Sequence, residues 1–100
     1  MKFAQEMTAL ANAHEEQGEY GVAEQLYRRA LKHQIKSVGK DSPELAPYIY
    51  DLAMICAALD HDDEARELFA WLLAVAPREA ELTAEIKLVL SELSDTVNAA

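Results

Sequence analysis

The chain has few of the residues that interrupt helices, form disulfides or carry positive charge. Among 100 residues it has 3 glycines, 3 prolines and one cysteine, Cys56. A single cysteine excludes an internal disulfide and a zinc site built from several cysteines. Lys and Arg number 9 against 18 Asp and Glu, which gives a net charge of -9. Because phosphate backbones repel that charge, we expect no nucleic-acid partner.

Long apolar runs are absent as well. Gln5, Glu6 and Thr8 interrupt the first ten residues, MKFAQEMTAL, which therefore lack the apolar part of a secretion signal. No uninterrupted run approaches the ~20 apolar residues that a membrane span needs. Hydrophobic residues still make up 51% of the chain, enough for the modest core of one small domain. We therefore expect a single acidic domain, residues 1–100, in the cytoplasm and without membrane contact.

The apolar residues recur at spacings of three and four, which is typical of amphipathic helices. The alternation and the β-branched runs that mark strands are missing, so the sequence predicts an all-α fold of five helices. Gly18 and Gly39 are predicted to follow the first two helices, and the third is predicted to start near Ala46 because of Pro47. The apolar face predicted for the first helix consists of Phe3, Met7, Leu10, Ala11 and His14.

The fourth helix is predicted to begin at a cluster of acidic residues and to end at Pro77. Carboxylates accept hydrogen bonds from free backbone N–H groups at a helix start, and their charge suits the helix dipole. The predicted capping residues are Asp60, Asp62 and Asp63.

An internal repeat becomes visible when the chain is shifted by 42 residues. Small residues then align with small ones, and aromatic residues with aromatic ones. The aligned positions are Leu10-Ala11 with Leu52-Ala53, Ala23 with Ala65, Leu26 with Leu68, Tyr27 with Phe69, and Leu31 with Leu73. We expect Ala23 and Ala65 to lie where two helices cross closely, and Tyr27 and Phe69 to fill the gap between helix pairs.

The repeated segment resembles a tetratricopeptide repeat. In LANAHEEQGEYGVAEQLYRRAL the signature residues are Leu10, Ala11, Gly18, Tyr20, Ala23, Tyr27, Ala30 and Leu31. The second copy, LAMICAALDHDDEARELFAWLLAVAP, matches at Leu52, Ala53, Ala65, Phe69, Leu73 and Pro77. It departs from the family pattern at Asp60, Asp62 and Leu72. The connecting segment KSVGKDSPELAPYIYDLA is similar to the 42-residue variety found in kinesin light chains.

The resemblance implies a right-handed solenoid of two helical hairpins, at residues 3–37 and 43–76, followed by a capping helix at 78–97. It also implies a non-catalytic module that presents a concave groove to a protein partner. Carried over from the family, the lining of that groove comprises Gln5, Thr8, Asn12 and Glu15, then Pro47, Tyr50, Met54 and Ala57, with Leu88 on the capping helix. Since Asp51 and Glu15 would repel a carboxylate, we expect the partner to offer a neutral or basic peptide or helix.

The alternative is a self-assembling structural or adaptor protein. For this alternative we expect no cap before the first helix, so that Phe3 and Met7 pair there with a second copy and give a homodimer.

Residues capable of chemistry are scattered along the chain. His14 occupies a packing position of the first repeat and Cys56 the equivalent position of the second, so we expect both to be structural. His61 lies among acidic residues, but the run is too short for a calcium loop. Glu15 and Glu16 point about 100° apart on a helix and do not form a pair. We expect no catalytic residue, no metal and no cofactor.

Two features stay open in the sequence. A basic cluster, Arg28, Arg29, Lys32, Lys36 and Lys40, is either a solvated face that complements the helix C-terminus or a docking patch for an acidic partner. Trp71 aligns with the outward position of Arg29, and we expect it in the core or an interface rather than as an exposed anchor.

Overall fold

The computed structural model describes residues 2–76 and 85–93. Its helices are α1 (Lys2–Glu16), α2 (Tyr20–Val38), a 3-10 helix (Pro43–Leu45), α3 (Ala46–Ala58) and α4 (Asp62–Val75). Residues 85–93 are also helical, and we call this segment α5. No strand occurs in these two described ranges. The all-α prediction is therefore confirmed, whereas Pro77 and the remainder of the predicted capping helix, 78–97, lie outside the described residues.

The helices form two hairpins that share one core. Helix α1 packs along α2, α3 packs along α4, and α2 joins the hairpins by packing against α3. The largest fully buried side chains are Phe69, Leu45, Ile49, Ile55, Leu72, Ile86 and Cys56. Since Ile86 is among them, α5 packs on the same core.

Small residues allow the helices to approach closely, as the repeat predicts. Ala23 and Ala65 are completely buried, and so are Ala11 and Ala53 of the partner helices. A larger side chain at such a position forces packed helices apart, at about 1–3 kcal/mol. The alignment of small residues thus has a steric cause in both hairpins.

The two hairpin turns have the same backbone hydrogen bond. The N–H of Glu19 donates to the carbonyl oxygen of His14, and the N–H of His61 to that of Cys56, both at 2.9 Å. Gly18, with φ 79°, and Asp60, with φ 63°, occupy the equivalent left-handed position between them. Glycine adopts this conformation freely, and aspartate is one of the few other residues that tolerate it. The prediction that Gly18 ends α1 in this conformation is confirmed.

Two glycine variants test the first turn. Gly18→Ala is expected to lower the free energy of unfolding by about 1 kcal/mol, because alanine is strained at positive φ. Gly21→Ala, in the first turn of α2, is expected to raise it by about 0.4–1 kcal/mol, because alanine has less backbone freedom to lose on folding. Apart from the adjacent residues and the backbone of the same helix turn, no described atom lies within 4 Å of the Cβ that either substitution adds. Urea denaturation measures both changes, and shifts of the same sign would contradict this explanation of the turn.

The end of α2 and the start of α3 also agree with the sequence-based predictions, and local hydrogen bonds and Pro47 explain both. The N–H of Gly39 donates to the Ile35 carbonyl oxygen at 2.8 Å and ends α2. The Ser42 hydroxyl accepts from the N–H of Glu44 at 3.1 Å and caps the 3-10 helix. Helix α3 then begins at Ala46, as predicted, with Pro47 in its first turn, where a missing N–H leaves no helical bond unmade.

Two sequence-based predictions are wrong. Asp60 does not cap α4: His61 occupies the N-cap position, and Asp60 itself forms the left-handed turn. Asp62 and Asp63 lie in the first turn of α4, where their charge suits the helix dipole.

The predicted apolar face of the first helix is also wrong in part. The side chains of Phe3 and Leu10 are 43% and 44% exposed, whereas Ala4 and Ala11 are fully buried. The reason is that α2 packs against one side of α1, and the small residues face it. The pattern of apolar residues alone does not show which side of α1 is covered by α2.

Candidate functional site

A cleft of about 270 Å³ opens between α1 and α3, the first helices of the two hairpins. It is lined by Gln5, Thr8, Ala9 and Asn12 of α1 and by Pro47, Tyr48 and Asp51 of α3. Residues three, four or seven apart share one side of a helix, which explains why these positions face the same space. Five of the seven are residues that the sequence analysis named. Ala9 and Tyr48 were missed, although each follows a named residue directly in the sequence.

Other predicted groove residues lie beside this cleft rather than in it. The ring of Tyr50 packs edge-on to Phe69, with 6.5 Å between ring centres, and its hydroxyl donates to Glu85 Oε1 at 3.3 Å. Tyr50 is therefore half-buried, connects α3 to α5 and does not line this cleft. Met54 and Leu88 are exposed, at 40% and 61%, and Ala57 is half-buried against the core.

The α1 wall of the cleft is held in place by Tyr27 of α2. Its hydroxyl contacts Asn12 Oδ1 and lies 2.7 Å from Glu15 Oε1, so one hydroxyl proton serves two acceptors. Burial, followed by the hydrogen bond to Glu15, raises the pKa of Tyr27, and the hydroxyl keeps its proton. Asn12 and Glu15 are thereby oriented before any partner arrives.

Asp51 is the half-buried acid of the cleft. Burial, and then the nearby charge of Glu15, raise its pKa to about 6. The hydroxyls of Tyr27 and Tyr50 also face it closely enough for the Asp51 charge to raise their pKa values. No cation pairs with Asp51 in the part of the chain that the structure describes. The cleft therefore carries an incompletely compensated negative charge near neutral pH.

Thr8 adds an unused hydrogen-bonding group. Its Oγ1 atom is buried and, among the described residues, has no hydrogen-bond partner. A buried polar atom without a partner is unfavourable by about 1–3 kcal/mol. Thr8 also lines the cleft, but its hydroxyl oxygen is not accessible from it.

Residues 4–78 match the family model of the tetratricopeptide repeat. The chain belongs to the tetratricopeptide repeat family. Tetratricopeptide repeats are typically non-catalytic interaction domains, and membership implies protein partners. The matched model does not specify the 42-residue variety of the repeat. Comparison with curated proteins gives no significant match.

None of the helices in the described ranges is both long and apolar enough to cross a bilayer.

The tetratricopeptide hairpins are joined by a second cluster, which the sequence analysis missed. Arg28 of α2 donates to Glu24 Oε2 at 2.7 Å and to both carboxylate oxygens of Glu64, on α4, at 2.5 and 2.7 Å. His61 Nδ1 lies 3.2 Å from Glu24 Oε2, and Cys56 Sγ lies 3.7 Å from the same oxygen. Arg28 is therefore neither a solvated surface charge nor part of a docking patch, the two alternatives for the basic cluster, because it is paired with Glu24 and Glu64 of the same chain.

This second cluster has the composition of a metal site but already contains a cation. The ligand-type atoms of Glu24, Cys56, His61 and Glu64 all lie within 4.8 Å of one another. The Arg28 guanidinium contacts three of the four and supplies the positive charge that a metal would bring. A metal ion would have to displace it, so the arrangement is explained as an ion-pair network.

Cys56 is buried, as predicted, but it does have basic neighbours. Arg28 Nη2 lies 3.9 Å from its sulfur, and His61 is also close. Burial nevertheless dominates and raises the pKa of the thiol to about 12. A neutral buried thiol is a poor nucleophile, so this geometry favours a structural role for Cys56.

The remaining singled-out side chains support turns and loops. His14 Nδ1 lies 2.7 Å from Glu19 Oε1 across the first turn. Trp71 is half-buried, packs against the core and donates its indole N–H to the Lys40 carbonyl oxygen at 2.9 Å. Trp71 therefore fastens the loop between the hairpins to α4 and is not a free anchor.

Replacing Asp51 tests its burial directly. Asp51→Asn is expected to raise the free energy of unfolding by on the order of 1–2 kcal/mol at pH 8. The folded-state pKa is raised above the ordinary 3.8, so the wild type loses stability as pH rises from about 4 to 6. At pH 4 the folded-state acid is protonated and the unfolded-state acid partly so, which removes most of the gain; the rest disappears as pH falls below the ordinary pKa of 3.8. Urea denaturation at pH 4 and pH 8 measures the gain in the free energy of unfolding. Asp41→Asn, at an exposed position, is the control. An equal gain at both pH values would contradict the raised pKa of Asp51.

Proposed function

We propose that the cleft between α1 and α3 binds a segment of a partner protein that inserts a lysine or arginine side chain toward Asp51. The observation that carries the proposal is Asp51 itself, a half-buried carboxylate with a raised pKa and no cation beside it in the described residues. A basic side chain would stabilise the ionised carboxylate that burial disfavours. The exposed amide of Asn12 would bond the backbone of the same segment.

The size of the cleft favours a side chain over a whole small molecule. Its volume is about 270 Å³, at the lower end of the roughly 300–1,000 Å³ typical of small-molecule pockets, and it accommodates one long side chain. A peptide laid along α3 would pass the exposed Met54, whose flexible thioether adapts to different apolar side chains. The proposed activity is thus non-catalytic recognition of a basic peptide or helix.

Preorganisation supports binding without rearrangement. Tyr27 already orients Asn12 and Glu15, and Tyr50 is fixed between Phe69 and Glu85. A scaffold whose contact groups are already ordered loses little conformational entropy on association. The alternative is homodimerisation through the first helix, which does not require the cleft to bind a partner.

Peptide selection tests the proposal without a known partner. A random 12-residue peptide library displayed on phage and selected on the full chain is expected to yield sequences enriched in lysine and arginine. The selected peptides should bind Asn12→Ala about 5–10-fold more weakly, because this change removes a hydrogen bond of about 1 kcal/mol to the bound segment. Gln25→Ala, which removes an exposed amide on α2 outside the cleft, is the matched control. Enrichment of acidic peptides, or equal affinity for Asn12→Ala and wild type, would reject the cleft as the site.

A further inference from the structure

A second pocket lies on the other side of the first hairpin and is basic. It has a volume of about 300 Å³ and is lined by Phe3 of α1 and by Arg29, Lys32, His33 and Lys36 of α2. The four α2 residues are spaced three, four and seven apart, so they form one stripe along the helix. None of the five lining residues is acidic.

The charge of this stripe is not neutralised within the described structure. Arg28 pairs with Glu24 and Glu64, and Arg66 with Asp63. By contrast, Arg29, Lys32 and Lys36 form no ion pair among the described residues, in a chain whose net charge is -9. An isolated cationic patch attracts acidic segments, whereas the net charge of -9 makes whole copies of the chain repel one another.

The pocket also offers an apolar contact. Phe3 is 43% exposed, and its ring lies against the imidazole of His33, with 4.8 Å between ring centres and 48° between planes. Exposed ion pairs are individually weak and screened by salt. An aromatic ring beside them supplies the apolar contact that such pairs alone do not give.

We propose that this basic pocket is a second docking surface, which takes an acidic segment of a partner protein. The segment would carry at least two carboxylates about one helical turn apart, to face the Lys32–Lys36 stripe, and an apolar side chain to pack on Phe3. We favour a protein over a nucleic acid as the partner. The net charge of -9 repels a phosphate backbone, and the three cations beside the apolar ring are too few to offset that repulsion.

The two surfaces are separate. At 100° per residue, Gln5, Thr8 and Asn12 point roughly 180° away from Phe3 around α1. A basic segment in the cleft and an acidic segment in the basic pocket could therefore be bound at the same time. The second proposal stands or falls independently of the first.

The test uses a defined probe, a fluorescein-labelled 12-residue peptide with four glutamates at helical spacing and two leucines. Fluorescence anisotropy with the full chain in 150 mM NaCl is expected to show binding that Lys32→Glu/Lys36→Glu weakens at least tenfold. Lys40→Glu/Lys87→Glu makes the same charge change at exposed positions outside the pocket and is expected to weaken binding less than twofold. Phe3→Ala, and a peptide with serine for leucine, should each weaken it at least fivefold.

Three results would overturn the proposal. Equal losses in the two double variants would show general charge attraction instead of a site. Tighter binding of a single-stranded oligonucleotide than of the peptide would assign the patch to nucleic acid. A wild-type dimer in sedimentation that Lys32→Glu/Lys36→Glu dissociates, without peptide binding, would identify a second copy as the occupant.

Discussion

Arg28→Met is expected to lower the free energy of unfolding by about 2–3 kcal/mol. The variant keeps the aliphatic stem but leaves Glu24, whose side chain is 9% exposed, without its strongest partner. Removing one member of a buried ion pair is strongly destabilising because the remaining charge is uncompensated. We expect a smaller loss than the roughly 3–5 kcal/mol typical of a fully buried ion pair, because the Arg28 side chain is 36% exposed. Urea denaturation followed by circular dichroism measures the change.

A matched arginine provides the control for this prediction. Arg66 pairs with Asp63 on the surface of α4, and the Asp63 side chain is 90% exposed. Arg66→Met should therefore change stability by no more than about 0.5 kcal/mol. Adding Glu24→Gln to the Arg28 variant removes the unpaired charge and should recover about half of the loss. If Arg28→Met were as mild as Arg66→Met, Arg28 would not be what fastens the hairpins together.

Asp51→Asn is expected to weaken binding of a basic peptide about 30-fold while making the fold more stable. A loss of about 2 kcal/mol, the lower end for removing one partner of a buried charge pair, corresponds to that factor. The increase in stability follows from removing a carboxylate that burial disfavours. Opposite effects on binding and stability distinguish a recognition residue from one that only supports the fold.

The measurement is a titration of the same selected peptide into wild type and variant at pH 8. A second peptide with glutamine in place of each lysine should not distinguish the two proteins. Unchanged affinity of Asp51→Asn for the lysine peptide would show that the cleft acid does not contact the partner.

Much of the architecture was predictable because it depends on residues that are close in sequence. The 42-residue shift that pairs Ala23 with Ala65 has its structural counterpart in two turns with the same backbone hydrogen bond. Turn geometry and helix spacing are local properties, and Gly18 at the left-handed position shows them directly. The burial of Leu10 was mispredicted because it depends on which side of α1 is covered, which is a tertiary property.

The candidate sites were predictable to different degrees. Helix spacing, together with the family resemblance, was enough to place Thr8 and Asn12 at the cleft. The raised pKa of Asp51 was not predictable, because it arises from α1 and α3 closing around the carboxyl group. The Arg28 network was missed for a similar reason: only the Glu24–Arg28 pair, four residues apart, is local, and Glu64 lies 36 residues away.

Proton release on binding tests the central claim most directly. At pH 6, near the pKa of Asp51, about half of the free protein carries a proton on that carboxyl. Calorimetric titration of a selected basic peptide in two buffers of different ionisation enthalpy should show release of roughly half a proton per complex. The release should vanish in Asp51→Asn. Wild-type binding with no proton released, or with protons taken up, would contradict a basic side chain seated against Asp51.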